Sequence, residues 1–152
     1  MEKQILFISD GSASATKAGA IAIELAATRQ SDLRAVFILD EGWGSLLGDE
    51  WINTSDTRMK FFSWFEGELK TRAEQVLNQF SNQAVSSGVK VETAILTGKT
   101  EKVIAEAANN ERTVLLVLPN PNSTEPAAAA GLRFNLHHLA KKVTCPILLG
   151  PQ

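Results

Sequence analysis

The residues able to do chemistry in this chain gather in three short stretches. The first is Ser9-Asp10-Gly11-Ser12, followed by Ser14 and Thr16. A carboxylate set among hydroxyls at the mouth of a helix has two uses. Asp10 can accept a hydrogen bond from a ligand hydroxyl, or it can brace its own turn by accepting backbone N–H groups. The hydroxyls can likewise hold a phosphate or cap the helix. The second stretch is Pro119-Asn120-Pro121-Asn122. Its prolines bring no N–H and fix φ, so it is a poor cradle for phosphate oxygens. The third is Arg133-Phe134, where a guanidinium can meet an anion.

Other chemistries lack their parts. There is no nucleophile–His–acid order, no Gly-rich P-loop, no pair of carboxylates at useful spacing and no dinucleotide fingerprint. A nucleotide hydrolase or a flavin carrier therefore ranks low. A phosphoryl-accepting receiver is a poor fit, since it wants clustered acids at the first strand and an Asp after the third, and "ILTGKT" has none there. His137 and His138 are neighbours, about 100° apart around a helix, and do not share a metal. Cys145, before Pro146, reads as a small core residue rather than a nucleophile. No catalytic residue and no metal ligand is expected.

Composition sets the frame for these stretches. The chain has 152 residues, 44% of them hydrophobic and 21% charged, with a formal net charge of -2. That suits one domain over 1–152 with a proper core, and it gives no electrostatic grip on nucleic acid. The single cysteine allows no internal disulfide and fits a reducing compartment. The first apolar run, Ile5 to Ile8, is too short for a signal core, and no run approaches a membrane span. A cytoplasmic protein without membrane contact is expected.

The hydrophobic pattern supplies the elements. Ile5-Leu6-Phe7-Ile8 and Val114-Leu115-Leu116-Val117-Leu118 are uninterrupted apolar runs, as strands buried on both faces require. Leu33 to Leu39 is another strand, and Pro146 to Leu149 the last. Val89 to Leu96 alternates apolar and polar, which predicts an edge strand. Between them lie helical spacings. Ala18, Ile21, Ala22, Leu25 and Ala26 form the first, capped by Ser12 or Ser14. Phe62, Phe65, Leu69, Ala73, Val76, Leu77, Phe80 and Ala84 form a long second, ending at Ser87-Gly88. Val103, Ile104 and Ala107 follow Thr100 as cap, and Leu136, Leu139, Ala140 and Val143 make the last. Residues 41–58 read as a loop or insert carrying Trp43 and Trp51. With Phe61 and Trp64 they form either a private lid or a contact surface.

Strands and helices thus alternate, which predicts an α/β protein: a three-layer α/β/α sandwich on a five-stranded parallel sheet, Rossmann-like. In such a sheet ligands sit beyond the carboxyl ends of the strands, where the winding reverses. The three stretches, with Leu39-Asp40, all fall at that end.

The sequence resembles the universal stress protein family. "ILFISDGSASATKAG" is similar to its opening strand, Asp-x-Ser and helix, and "AVFILDE" to its second strand. "GVKVETAILTGKTEKVIAEAA", "LLVLPN" and "KKVTCPILLGP" resemble its later strands in order, over nearly the whole chain. The resemblance implies strand order 3-2-1-4-5 and the adenine nucleotide alpha hydrolase-like fold. It implies that Asp10, with Gly11 and Ser12, faces a ribose, and that Ile8 and Ile38 lie near an adenine. Members that bind ATP carry Gly-x2-Gly-x9-Gly-Ser/Thr after the fourth strand. Here those positions map to Pro119, Asn122 and Arg133-Phe134, so the phosphate nest should be lost. The reading is a stress-response regulatory or ligand-binding protein with no resident cofactor. ATP or ADP would be held only by a rearranged loop using Asn120 and Arg133. The family also implies a homodimer through the C-terminal edge strand, with Ile147 and Leu149 near the axis.

Overall fold

A computed structural model describes residues 3–40, 55–121 and 134–151. Five strands, β1 (Gln4–Ser9), β2 (Asp32–Asp40), β3 (Val91–Gly98), β4 (Thr113–Leu118) and β5 (Ile147–Leu149), form one sheet. Its order is β3-β2-β1-β4-β5 and every pairing is parallel. The helices between them are α1 (Ala13–Arg29), α2 (Ser55–Ser86), α3 (Thr100–Ala108) and α4 (Leu136–Lys142). This is the expected α/β architecture, with β1 central and β3 at an edge.

Alternation along β1 divides the core in two. Ile5 and Phe7 face α1 and α2, whereas Leu6 and Ile8 face α3 and α4. All four are at most 2% exposed, as the unbroken apolar run requires. The α1 face turned inward is built from small residues: Ala15, Ala18, Gly19, Ala22 and Ala26, together with Ile23. Gly19 has a specific reason to be glycine. A β-carbon there would meet Phe80 at 2.9 Å and Phe7 at 3.1 Å. The two rings stack against that gap, centroids 4.8 Å apart, a contact contributing about 0.5–1.5 kcal/mol beyond burial.

Several expectations shift. The buried isoleucine of α1 is Ile23, and Ile21 is only half-buried, because the sheet-facing stripe runs through 15, 19, 22 and 26. Helix α2 begins at Ser55, inside the stretch read as loop. The glycines and Asn53 end just before it, and Ser-Asp-Thr-Arg-Met-Lys suits a first helical turn. Residues 41–54, with Trp43 and Trp51, lie outside the described residues, as do the side chains of Phe61, Phe62, Trp64 and Phe65. Thr100 does not cap α3: Lys99 holds the cap position and makes no side-chain cap bond, while Thr100 is 2% exposed as the first helical residue. Ala140 is exposed, and Leu139 alone of α4 is buried. Strand β3 starts at Val91, after the chain leaves α2 through Gly88 at φ +77°.

Candidate functional site

The carboxyl ends of β1 and β4 lie side by side, and the chain leaves them in different ways. After β1, the turn 10–12 runs into the N-terminus of α1. Asp10 is 3% exposed. Its Oδ1 accepts the N–H of Ser12 at 2.9 Å, and Ser9 Oγ accepts that of Gly11 at 3.2 Å. Ser12 is the cap: its Oγ accepts the N–H of Ala15 at 3.1 Å. Asp10 therefore braces the turn through one oxygen. The other, Oδ2, is buried and has no hydrogen-bond partner among the described residues. A carboxylate oxygen buried in this way is costly unless something donates to it, so it marks a place for a donor.

After β4, the backbone donors are already absent or used. Pro119 and Pro121 have no N–H. The N–H of Asn120, between them, donates to Ser14 Oγ at 2.9 Å. The Ser14 hydroxyl donates in turn to the carbonyl of Pro151 at 2.7 Å, and Asn120 Nδ2 reaches the carbonyl of Gly150 at 3.3 Å. Ser14 thus ties three turns together: the one after β1, the one after β4 and the one after β5. Gly150 fits because a β-carbon there would lie 2.7 Å from Ala18 Cβ.

The remaining expected positions divide. Ile8 and Ile38 are 0% and 2% exposed and belong to the core layer under α3 and α4. Phe134 is half-buried against that same layer. It precedes α4, whose cap is Asn135, accepting the N–H of His138 at 3.1 Å. Pro119 is buried at the end of β4. Asn122 and Arg133 lie outside the described residues, and so does the side chain of Asp40. The structure therefore joins Asp10, Gly11 and Ser12 to Asn120 through Ser14. That link was not among the sequence expectations. Its one trace in the sequence was a serine on a helix face otherwise made of alanine, glycine and Ile23, 3% exposed in the fold.

Other candidate chemistry is spread out. His137 and His138 are both exposed, their rings 6.4 Å apart and tilted. Cys145 is half-buried, and burial pushes its thiol up from the usual range. Among the described residues no group of three or more His, Cys, Asp or Glu could hold a metal ion, and no helix is long and apolar enough to cross a membrane.

A parallel sheet in this order, with an acidic turn after its central strand, defines the class of doubly wound α/β proteins with a crevice at the strand ends. The profile of the universal stress protein family matches residues 1–150, and the chain belongs to that family. A comparison with curated proteins found no match. Among solved structures, a universal stress protein from Lactobacillus plantarum is similar at 19% identity and TM-score 0.75, over 99% of this chain and 98% of that one. A universal stress protein in complex with cAMP is similar at 17% identity and TM-score 0.67, covering 99% and 97%. One from Archaeoglobus fulgidus in complex with dAMP is similar at 14% identity and TM-score 0.61, covering 99% and 98%.

Proposed function

We propose that this chain is a non-catalytic, regulatory ligand-binding protein of the stress response, whose crevice takes a nucleoside or nucleoside monophosphate rather than a triphosphate. The observation that carries the reading is the Ser14–Asn120 hydrogen bond between two prolines. It leaves no backbone donor over residues 119–121 for a chain of phosphates. The unpartnered Oδ2 of Asp10 supports the other half: it accepts a ribose hydroxyl of the ligand. The universal stress proteins seen with cAMP and dAMP carry a single phosphate, which agrees with this choice of ligand. Phe134, half-buried against the core layer, is the residue that the family resemblance aligns with the small hydroxyl of ATP-binding members.

A binding role also suits the available nucleophile. A thiol raised by burial is largely protonated near neutral pH, the opposite of what a nucleophilic cysteine needs. The half-buried apolar strand β5 lies at the sheet edge, and covering it by the same strand of a second copy, around Ile147 and Leu149, makes a homodimer. The single cysteine suits a cytoplasmic location.

Equilibrium titration with AMP, cAMP and ATP tests the ligand. AMP is expected to bind about tenfold more tightly than ATP, and equal affinities would remove the selection by length. Low-micromolar ATP with AMP far weaker would overturn the reading. Size-exclusion with light scattering tests the dimer, and a species of one chain mass at all concentrations would remove it.

A further inference from the structure

The layer opposite the nucleotide crevice contains a cavity of its own. It lies between α1, α2 and the end of β1, and its volume is about 110 Å³. Phe7, Val76 and Phe80 make its apolar wall. Ser9, Gln79 and Gln83 supply polar groups. It shares only the β1–α1 turn with the crevice, because Ser9 and Asp10 are successive residues of an extended chain and point to opposite faces.

Three features make this space suited to an anion. Ser9 is 4% exposed, and its oxygen accepts the Gly11 N–H, but its own O–H finds no acceptor among the described residues. The guanidinium of Arg72 lies over Gly11, where a β-carbon would sit 3.3 Å from Nη2 and 3.5 Å from Nε. Gly11, at φ +77°, is what leaves room for it. Arg72 has no ion-pair or hydrogen-bond partner among the described residues, and none of the described lining residues is acidic. The unused groups are therefore donors, one of them a planar cation suited to two parallel hydrogen bonds with a carboxylate.

From these we propose that the α1–α2 cavity is a second binding site, for a small monocarboxylate with a compact apolar body. The body packs against Phe7, Val76 and Phe80, and the carboxylate meets Arg72 and the Ser9 hydroxyl. The volume of about 110 Å³ falls short of the ~150 Å³ of a dry cavity that accommodates benzene, so it holds a short branched chain, or a single ring seated partly in the mouth.

Benzoate is the probe, with benzyl alcohol as its uncharged counterpart, on the full chain by amide chemical-shift mapping. Millimolar benzoate is expected to move the amides of Thr16, Val76, Gln79 and Gln83, and AMP is expected to leave them in place. Arg72→Gln, a change at an exposed helix position that should not disturb folding, is expected to weaken benzoate about tenfold, or ~1.4 kcal/mol. Benzyl alcohol is expected to bind wild-type protein about as weakly as benzoate binds that variant. Val76→Phe, which fills the cavity from a half-buried position, is expected to abolish the shifts at an unchanged melting temperature. Shifts confined to Asp10 and Asn120, no shifts at all, or equal benzoate affinity in Arg72→Gln would each overturn the proposal.

Discussion

The turns after β1 and β4 start from adjacent strand ends, yet they handle their polar groups in opposite ways. The β1 turn ends with an acceptor to spare, Asp10 Oδ2, buried and without a partner among the described residues. Over its described residues 119–121 the β4 turn has no backbone N–H to spare, because two of the three are prolines and the third donates to Ser14. A crevice with one generous side and one closed side selects by ligand length. On the proposed function, a sugar hydroxyl finds its partner in Asp10, whereas a string of phosphates meets residues 119–121, which have no N–H to give.

The sharpest way to break this contrast is Asp10→Asn. The amide oxygen can keep the Ser12 N–H bond, so the turn survives, while a donor replaces the spare acceptor. Affinity for AMP is expected to fall by about 1.5–3 kcal/mol, the usual worth of a hydrogen bond to a charged group. The melting temperature is expected to hold or rise, because a buried unpartnered carboxylate is gone. Calorimetric titration and thermal melting read both. A large loss of stability with unchanged affinity would make Asp10 a structural brace alone.

Ser14→Ala attacks the other side. It removes the acceptor of the Asn120 N–H and the donor to the Pro151 carbonyl near the end of β5, and is expected to cost about 1–3 kcal/mol. In a chain of this length that lowers the melting temperature by roughly 2–4 °C per kcal/mol. A change of under about 0.5 kcal/mol, the range of an ordinary surface substitution, would mean that Ser14 is no clasp. Ser12→Ala, by comparison, removes only a helix cap on the β1 side and is expected to cost about 1 kcal/mol in denaturant unfolding.

The two turns also differ in how plainly the sequence announces them. The prolines at 119 and 121 are visible as letters, and what they lack follows from their covalent structure. The run Ile5–Ile8 announces a buried strand just as directly; Val114–Leu118 does so too, although Val114 and Leu115 are only half-buried, and the alternation after Val89 announces an edge. Pairing between distant residues is different. That Ser14 reaches Asn120 and Pro151, 106 and 137 positions away, depends on strand order and on the close approach allowed by Gly150. Arg72 over Gly11 is of the same kind, since nothing local in "LKTRAEQ" says which turn of chain it will cover. Periodicity placed α1 but put Ile21 on its inner face in place of Ile23. With so many alanines, the wheel offers two stripes of similar hydrophobicity, and packing against Phe7 and Phe80 decides between them.

The smallest expected effect comes from Pro121→Gly, and it separates two causes that the β4 turn combines. Glycine restores an N–H at 121 and relaxes φ. It also frees the unfolded chain, so stability is expected to drop by about 0.4–1 kcal/mol. The Asn120 N–H, however, stays committed to Ser14. One new donor beside an occupied one does not make a nest, which needs successive N–H groups converging on one anion. The ratio of ATP to AMP affinity is therefore expected to change by less than about threefold, under ~0.7 kcal/mol. If the ratio rose tenfold in Pro121→Gly alone, proline would be the whole barrier and the Ser14 bond incidental. If it rose only when Ser14→Ala was added, the occupied amide would be the cause that prevails.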